Sequence, residues 1–339
     1  MNLRYAFSFL RILKIPGLYP IMQDWMTSVR MNFIFTAYES GLLHTLSKPG
    51  DRNTLIKKLG VERTALLDAL LEVGLAVKEL AVKNEQFFIR GRRSKAIVGT
   101  NGDMLAAMIQ ADRTYYSDAY RNAASRMRGG ELGEDLDKIG DVVARFSKMT
   151  EPIIKDFMAY SVNGKHSMRV LDVGCGSAFL LRTIYELNKN AKGIGLDIDQ
   201  TVVDQAKQNI TAWGLTDRFS IYHGNILEYQ AENDHFDLIS LVNILYYFDK
   251  GDRVELLSRM RKLLVNNGKL AIVMSFHSKG NDIGTANLNL VNSSLKGLTP
   301  LPDLDQIKSL LKQCGLGKIK VHRFMPKSTF YGIIASKLS

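Results

Sequence analysis

Cysteine is scarce: the 339-residue chain holds two, Cys175 and Cys314, far apart and without CxxC spacing. That scarcity excludes a disulfide framework and a structural zinc site, so no metal is expected, and reduced thiols fit a cytoplasmic protein. No apolar run reaches the roughly 18 residues that a membrane-spanning helix requires. Acidic residues are in deficit, 34 against 45 lysines and arginines, for a net charge of +11. The basic residues are spread along the chain and form no block, which speaks against a nucleic-acid partner. The opening is also expected to be a poor secretory signal. The opening "MNLRYAFSFLRILKIPGLYP" has its apolar run broken by Arg11, and no small-residue cleavage site follows. It reads as a helix packing on a dimer partner or on the core, and residues 1–20 also fit peripheral contact with a membrane.

What is present suits a globular protein of two domains, with 46% hydrophobic and 23% charged residues. From Met31 the pattern turns helical, with Phe33, Ala37, Gly41, Leu42 and Leu46 on one stripe. "DRNTLIKKLG" reads as a short helix closed by Gly60. "ERTALLDALLEVGLAV" reads as a third helix whose apolar face is Leu66, Leu67, Leu70 and Leu71. "KELAVKNEQFFIR" alternates about Lys83-Asn84-Glu85 as a hairpin. Together with the N-terminal helix these elements predict a winged-helix domain over residues 1–98. Its third helix carries Glu62, Asp68 and Glu72 against Arg63 alone. A helix that must approach phosphates should not be net acidic, so dimerisation is the expected role.

Residues 99–160 read as bridging helices parted by Gly129-Gly130, with Phe146 and Met149 as candidates to line a pocket. Residues 161–339 alternate strand and helix. The strands "MRVLDVG", "GIGLDI", "FSIYHGN", "FDLISLVNIL" and "KLAIVMSF" predict a doubly wound α/β domain, Rossmann-like and seven-stranded. "KIKVHRF" and "TFYGIIAS", joined by "MPKS", predict an antiparallel hairpin at the sheet edge.

The stretch "VLDVGCGSA", Val170 to Ala178, places a glycine turn between the first of these strands and a helix. Gly174 and Gly176 let backbone pass close to a ligand. A dinucleotide turn needs G-x-G-x-x-G, and Phe179 stands at the third position. Asp172, two residues before Gly174, opposes a pyrophosphate and suits a cation. S-adenosylmethionine carries a sulfonium and an ammonium and no phosphate. Asp197 ends the second strand, where a carboxylate accepts hydrogen bonds from ribose hydroxyls, with Ile198 beside it. NAD sites share that carboxylate, and Asp199 is also placed to cap the next helix. After the third strand, Asn225 is positioned for the adenine amino edge and Ile226 for its ring. The fourth strand delivers Asn243 and Tyr246 to the carboxyl face.

These four segments, in this order, resemble those of class I S-adenosylmethionine-dependent methyltransferases. The winged-helix domain ahead of them resembles that of the dimeric small-molecule O-methyltransferases, so the resemblance covers nearly all of the chain beyond residue 30. It implies a homodimeric enzyme that uses S-adenosylmethionine to methylate a small, hydrophobic acceptor. Transfer to a hydroxyl often needs a general base. In the plant-type enzymes a histidine follows the fourth strand, in a segment like "LHDW", and Tyr246 stands there instead. Three readings follow. Tyr246 positions an acceptor that is already nucleophilic, or it serves as an inefficient base with a pKa of about 10, or the protein binds cofactor without catalysis. Some C-methyltransferases of bacteriochlorophyll pigments have a similar "ILY", so carbon and nitrogen acceptors stay open beside oxygen. Of the histidines, His277 lies near the expected pocket mouth. His44, His166, His223, His235 and His322 read as surface or core. Two rival functions remain: a winged-helix regulator or scaffold that senses S-adenosylmethionine, and an NAD-dependent oxidoreductase, which Asp172 and Phe179 oppose.

Overall fold

A computed structural model describes residues 5, 11–134, 136–162, 166–229 and 235–338, with the side chains of 136–139 also left out. Most of the amphipathic opening at residues 1–10 therefore lies outside the described residues. The chain forms two compact units, Met1–Thr114 and Tyr115–Ser339. The division falls inside the stretch read as bridging helices.

The first unit begins with α1, Leu18–Glu39. Gly41, in the left-handed region at φ 74°, then breaks the helical stripe before the short α2, Leu42–Thr45. In α3, Arg52–Leu59, the Asp51 carboxylate accepts from the Thr54 N–H at 2.9 Å, and Gly60 at φ 62° closes the helix. α4 spans Thr64–Ala76. Its buried residues are Leu67, Leu71 and Gly74, while Leu66 is 71% exposed. The four-leucine face expected for this helix is thus narrower than the sequence indicated. β1, Leu80–Lys83, and β2, Gln86–Ile89, pair antiparallel. The turn residues between them, Asn84 and Glu85, both take positive φ, 49° and 61°, as a two-residue type I′ hairpin requires. α5, Arg92–Ile97, and α6, Gly102–Ala111, complete the unit. Phe33, Ile34, Leu42, Leu43, Leu46, Leu55 and Leu80 form its core.

The second unit opens with α7, Ser117–Arg126, α8, Leu136–Ser147, and α9, Glu151–Met158. Strands and helices then alternate: β3 Met168–Val173, α10 Phe179–Leu187, β4 Ala191–Asp197, α11 Gln200–Ala212, β5 Phe219–His223, β6 Phe236–Val242, α12 Lys250–Leu263 and β7 Leu264–Ser275. α13 Ile283–Asn292, α14 Leu304–Gln313, β8 Leu316–Arg323 and β9 Phe330–Lys337 follow. The seven strands lie in the order β5-β4-β3-β6-β7-β9-β8. β9 runs antiparallel between β7 and β8, so the expected hairpin is present with β8 on the edge. The domain is α/β and Rossmann-like.

Strand alternation sorts the core into two layers. Leu171, Ile239, Leu241, Leu270 and Ile272 face one side with Leu256, Leu257 and Met260 of α12 and Ile307 of α14. Val170, Leu238, Ala271 and Val273 face the other with Leu181 and Ile184 of α10, Val203 and Ala206 of α11, and Phe157 of α9. Each fully buried side chain of this kind contributes about 1.5–3 kcal/mol.

Local structure departs from the simple strand pattern in three places. "NIL" does not extend β6: the strand ends at Val242, Asn243 turns at φ 55°, and a short 3₁₀ turn covers Leu245–Tyr247. "NNG" lies within β7 rather than before it, with Asn267 at φ 63° and a register irregularity against β6. The stretch after β7 holds a helix, α13, capped by Asp282, whose carboxylate accepts from the Thr285 N–H. Its Gly, Thr and Asn residues have weak helix propensity, which hid it.

Candidate functional site

The carboxyl ends of β3, β4, β5 and β6 converge on one edge of the parallel strands. There the glycine turn is built from residues in the left-handed region: Gly174 at φ 66°, Gly176 at 52° and Ala178 at 62°. The Gly174 and Cys175 N–H groups donate to the Leu196 carbonyl at 2.8 and 3.1 Å, which pins the turn to β4. A Cβ on Gly174 would lie 2.6 Å from Ile244 Cγ2, so only glycine fits. A Cβ on Gly176 would meet nothing within 4 Å, so this backbone borders open space that a ligand can fill.

Asp197 stands at the end of β4. Its Oδ2 accepts from the Gly176 N–H at 3.0 Å and its Oδ1 from the Asp199 N–H at 3.2 Å. The helix-capping role belongs to Asp199, which accepts from the Thr201 and Val202 N–H groups. Ile198 is 70% exposed beside the turn, and its carbonyl lies 2.9 Å from His223 Nε2. Asn225 Oδ1 accepts from the Leu227 N–H at 3.0 Å, so part of its acceptor capacity is committed locally. Ile226 is buried in the core layer below. Asn243 donates its backbone N–H to the Val273 carbonyl at 2.8 Å.

Asp172 is 2% exposed, and Ser240 donates to its Oδ1 at 2.6 Å. Burial pushes its pKa up from 3.8 to about 7, with the Ser240 hydrogen bond opposing and the Asp197 charge adding to the rise. The Cys175 thiol is also pushed up, chiefly by burial and then by Asp172 and Asp197. It is no thiolate nucleophile.

Tyr246 sits on the 3₁₀ turn after β6. Thr299 donates to its carbonyl from both N–H and Oγ1, at 2.8 and 2.9 Å. Arg253, on α12, donates Nε to the Leu245 carbonyl at 2.9 Å and Nη2 to Thr299 Oγ1 at 2.6 Å, locking the same turn. Burial raises the Tyr246 pKa well above 10, followed by the nearby Tyr247, Tyr116 and Tyr115. A phenol so placed stays neutral and donates hydrogen bonds; it is a poor base. Tyr247 is 48% exposed, and partial desolvation of its ring together with the Asp197 charge raises its pKa.

None of the histidines has a hydrogen bond or ring contact with Tyr246 among the described residues. His277 is exposed. His322 packs against Phe157 and Tyr160. Phe146 is half-buried and Met149 is exposed on the α8 side. Sequence reasoning missed Tyr115, Tyr116, Ser240, Arg253 and Thr299. The doubled tyrosine in "RTYYSD" was the available signal; the others act through contacts distant in sequence.

These residues fit S-adenosylmethionine. Gly174 and Gly176 give close backbone approach, Asp197 lies beside the open space at Gly176, and Asp172 supplies an acid beneath the turn. The bound cofactor would supply an electrophilic methyl on its sulfonium.

Residues 170–268 match the family described as "Methyltransferase domain". Among curated proteins, the chain is similar to the tRNA1(Val) (adenine(37)-N6)-methyltransferase of Vibrio campbellii, 26% identical over 123 residues, which are 31% of this chain and 50% of that protein. The chain thus spans about half the length of the curated relatives it matches. Among solved structures it shares the fold of the mitomycin 7-O-methyltransferase MmcR, with a TM-score of 0.78 at 17% identity, covering 97% of this chain and 99% of that one. It likewise shares the fold of human N-acetylserotonin methyltransferase in complex with SAM, with a TM-score of 0.73 at 16% identity over 96% and 99% of the two chains. PigF with SAH gives a TM-score of 0.78 at 12% identity over 95% and 100%.

Proposed function

The chain carries a class I methyltransferase domain whose cofactor is S-adenosylmethionine, and from that premise we propose that it methylates a small, hydrophobic acceptor as a homodimer. The observation that carries the reading is the Gly174–Gly176 turn, held by Asp197 at the carboxyl edge, with Tyr246 on the neighbouring strand end. Asp172, Gly174 and Gly176 lie along the methionine part, Asp197 and Ile198 at the ribose, and Asn225 and Ile226 at the adenine. Asn243 and Tyr246 face the transferred methyl. Oxygen is the leading acceptor atom, on the fold shared with MmcR; carbon and nitrogen remain alternatives because no histidine stands at Tyr246. The tRNA-modifying relatives match only 31% of this chain, so they do not extend to its acceptor.

The first unit is the dimerisation module. The outer half of α1 exposes Tyr19, Ile21, Trp25 and Met26, an apolar surface that a second copy would cover. No described helix is long and apolar enough to cross a membrane, and a cytoplasmic location suits both the thiols and the cofactor. Native mass spectrometry with S-adenosylhomocysteine, followed by a methyl-transfer screen, tests the whole reading. A dimer that binds the cofactor product and methylates small aromatic acceptors supports it. A protein that binds no cofactor product, or binds it and methylates nothing, returns the scaffold reading.

A further inference from the structure

Ahead of α1 the described residues stay outside the core of the first unit. Residues 11–17 are all exposed, and large apolar side chains are among them. Ile12 is 50% exposed, Leu13 51% and Ile15 53%, with Tyr5 at 69% before them. Tyr5 and residues 11–13 are helical. The Lys14 N–H donates to the Arg11 carbonyl at 3.2 Å and the Ile15 N–H to the Ile12 carbonyl at 3.0 Å, closing the turn. Pro16 and Gly17 follow, and Gly17 lies in the left-handed region at φ 80°. Neither continues a regular helix, so this segment is an element separate from α1.

Its charges are of one sign. Arg4, Arg11 and Lys14 precede Asp24, the first acidic residue of the sequence. Arg11 and Lys14 are exposed, and among the described residues neither side chain has an ion pair or hydrogen bond. In the sequence, Arg4, Ser8, Arg11 and Lys14 recur every three or four positions, while Tyr5, Phe9, Leu10, Ile12 and Leu13 fall on the opposite side of that period. Phe7 interrupts the polar stripe. A narrow cationic stripe beside large aliphatic and aromatic side chains is the pattern of an element lying in the plane of a lipid surface.

We propose that the segment ahead of Gly17 docks the protein on the surface of an anionic lipid bilayer, with Arg11 and Lys14 at the headgroups and Tyr5, Ile12 and Leu13 turned toward the acyl chains. Charge and apolarity together select this occupant. The same segment of a second copy would bring like charges and no acid to meet them. A nucleic acid would engage the cations and leave the apolar side chains in water. An anionic bilayer takes both: its headgroups attract the cations, and its acyl boundary covers the apolar side. The stems of Arg11 and Lys14 are long enough to keep their charged ends in water while the residues beside them are covered. The contact lies on the surface, since no described helix is long and apolar enough to cross a membrane. It is also distinct from the dimer surface of α1, whose exposed side chains Tyr19, Ile21, Trp25 and Met26 lie beyond Gly17.

The test sediments the full-length protein with sucrose-loaded vesicles, of phosphatidylcholine alone and of phosphatidylcholine mixed with phosphatidylglycerol. We expect partition onto the anionic vesicles to exceed that onto the neutral ones by at least about tenfold, and to fall as salt is added. Arg11→Gln with Lys14→Gln should weaken binding to the anionic vesicles about thirtyfold, the scale of two cations near such a surface. Ile12→Ser with Leu13→Ser should weaken it by at least about tenfold through lost apolar burial. Both double variants should keep the parental circular-dichroism spectrum and oligomeric state, because these side chains lie outside the core of the first unit. Absence of binding to the anionic vesicles would overturn the proposal, as would equal binding to both compositions or indifference to either double substitution. Tighter binding to single-stranded DNA than to the anionic vesicles would give the cations to a nucleic acid instead. A changed oligomeric state in either variant would give the segment to a second copy.

Discussion

The Asp197 carboxylate holds the glycine turn: its Oδ2 accepts the Gly176 N–H at 3.0 Å, joining the end of β4 to the loop that leaves β3. Losing that carboxylate frees an N–H at the site and removes the acceptor proposed for the ribose. Asp197→Ala should weaken S-adenosylhomocysteine binding by ~1–3 kcal/mol, the scale of charge-assisted hydrogen bonds. Calorimetry on the folded variant measures it, and an unchanged affinity takes Asp197 out of the cofactor site.

Asp172 makes stability depend on pH. Its pKa is about 7 in the folded protein against 3.8 ordinarily. Between those values the folded state holds a proton that the unfolded chain has released. Stability therefore falls as pH rises through about 4 to 7, and the loss is complete above 7. A shift of that size corresponds to on the order of 4 kcal/mol. In urea unfolding without ligand, the protein should lose stability between pH 5 and 8. Asp172→Asn keeps an acceptor for Ser240 and carries no charge, so it should lose much less. Parallel losses in the two proteins would place the dependence elsewhere.

Much of this architecture was legible because it rests on local chemistry. The glycine turn needs positive φ at Gly174 and Gly176, and the strands alternate visibly around it. The hairpin between β1 and β2 was readable as well. What escaped was set by contacts distant in sequence. Ser240 meets Asp172, and Arg253 meets Thr299, only through the fold. Leu66 fits the helical pattern of α4, yet lies exposed because the buried face of this short helix is spent on Leu67 and Leu71. The Asn225 side chain was readable as a ligand group, but its competing bond to Leu227 was not.

Thr299 joins two parts of the site. Its Oγ1 accepts from Arg253 and donates to the Tyr246 carbonyl. Thr299→Val preserves shape and removes both bonds. It leaves a buried guanidinium N–H unmet, at a cost of about 1–3 kcal/mol in chemical denaturation. It also loosens the turn that carries Tyr246 and Tyr247. The expected kinetic result is a fall in kcat/KM for the acceptor with S-adenosylhomocysteine affinity unchanged. Equal losses in both would mean that the turn serves the cofactor side instead.

The outer half of α1 supplies the last prediction. Trp25 is 64% exposed and Ile21 68%, on a helix whose inner half is buried through Phe33, Ile34 and Ala37. Apolar side chains of this size gain about 1.5–3 kcal/mol each when fully covered. If a second copy covers them, Trp25→Glu together with Ile21→Glu places two charges in the interface, where each lacks a partner. Light scattering after size-exclusion chromatography should then report a monomer in place of a dimer. The stability of the first unit should hold, because its core side chains lie on the inner half of the helix. A double variant that remains dimeric would locate the interface on another surface. A parent protein that is monomeric at micromolar concentration would remove the dimer from the reading altogether.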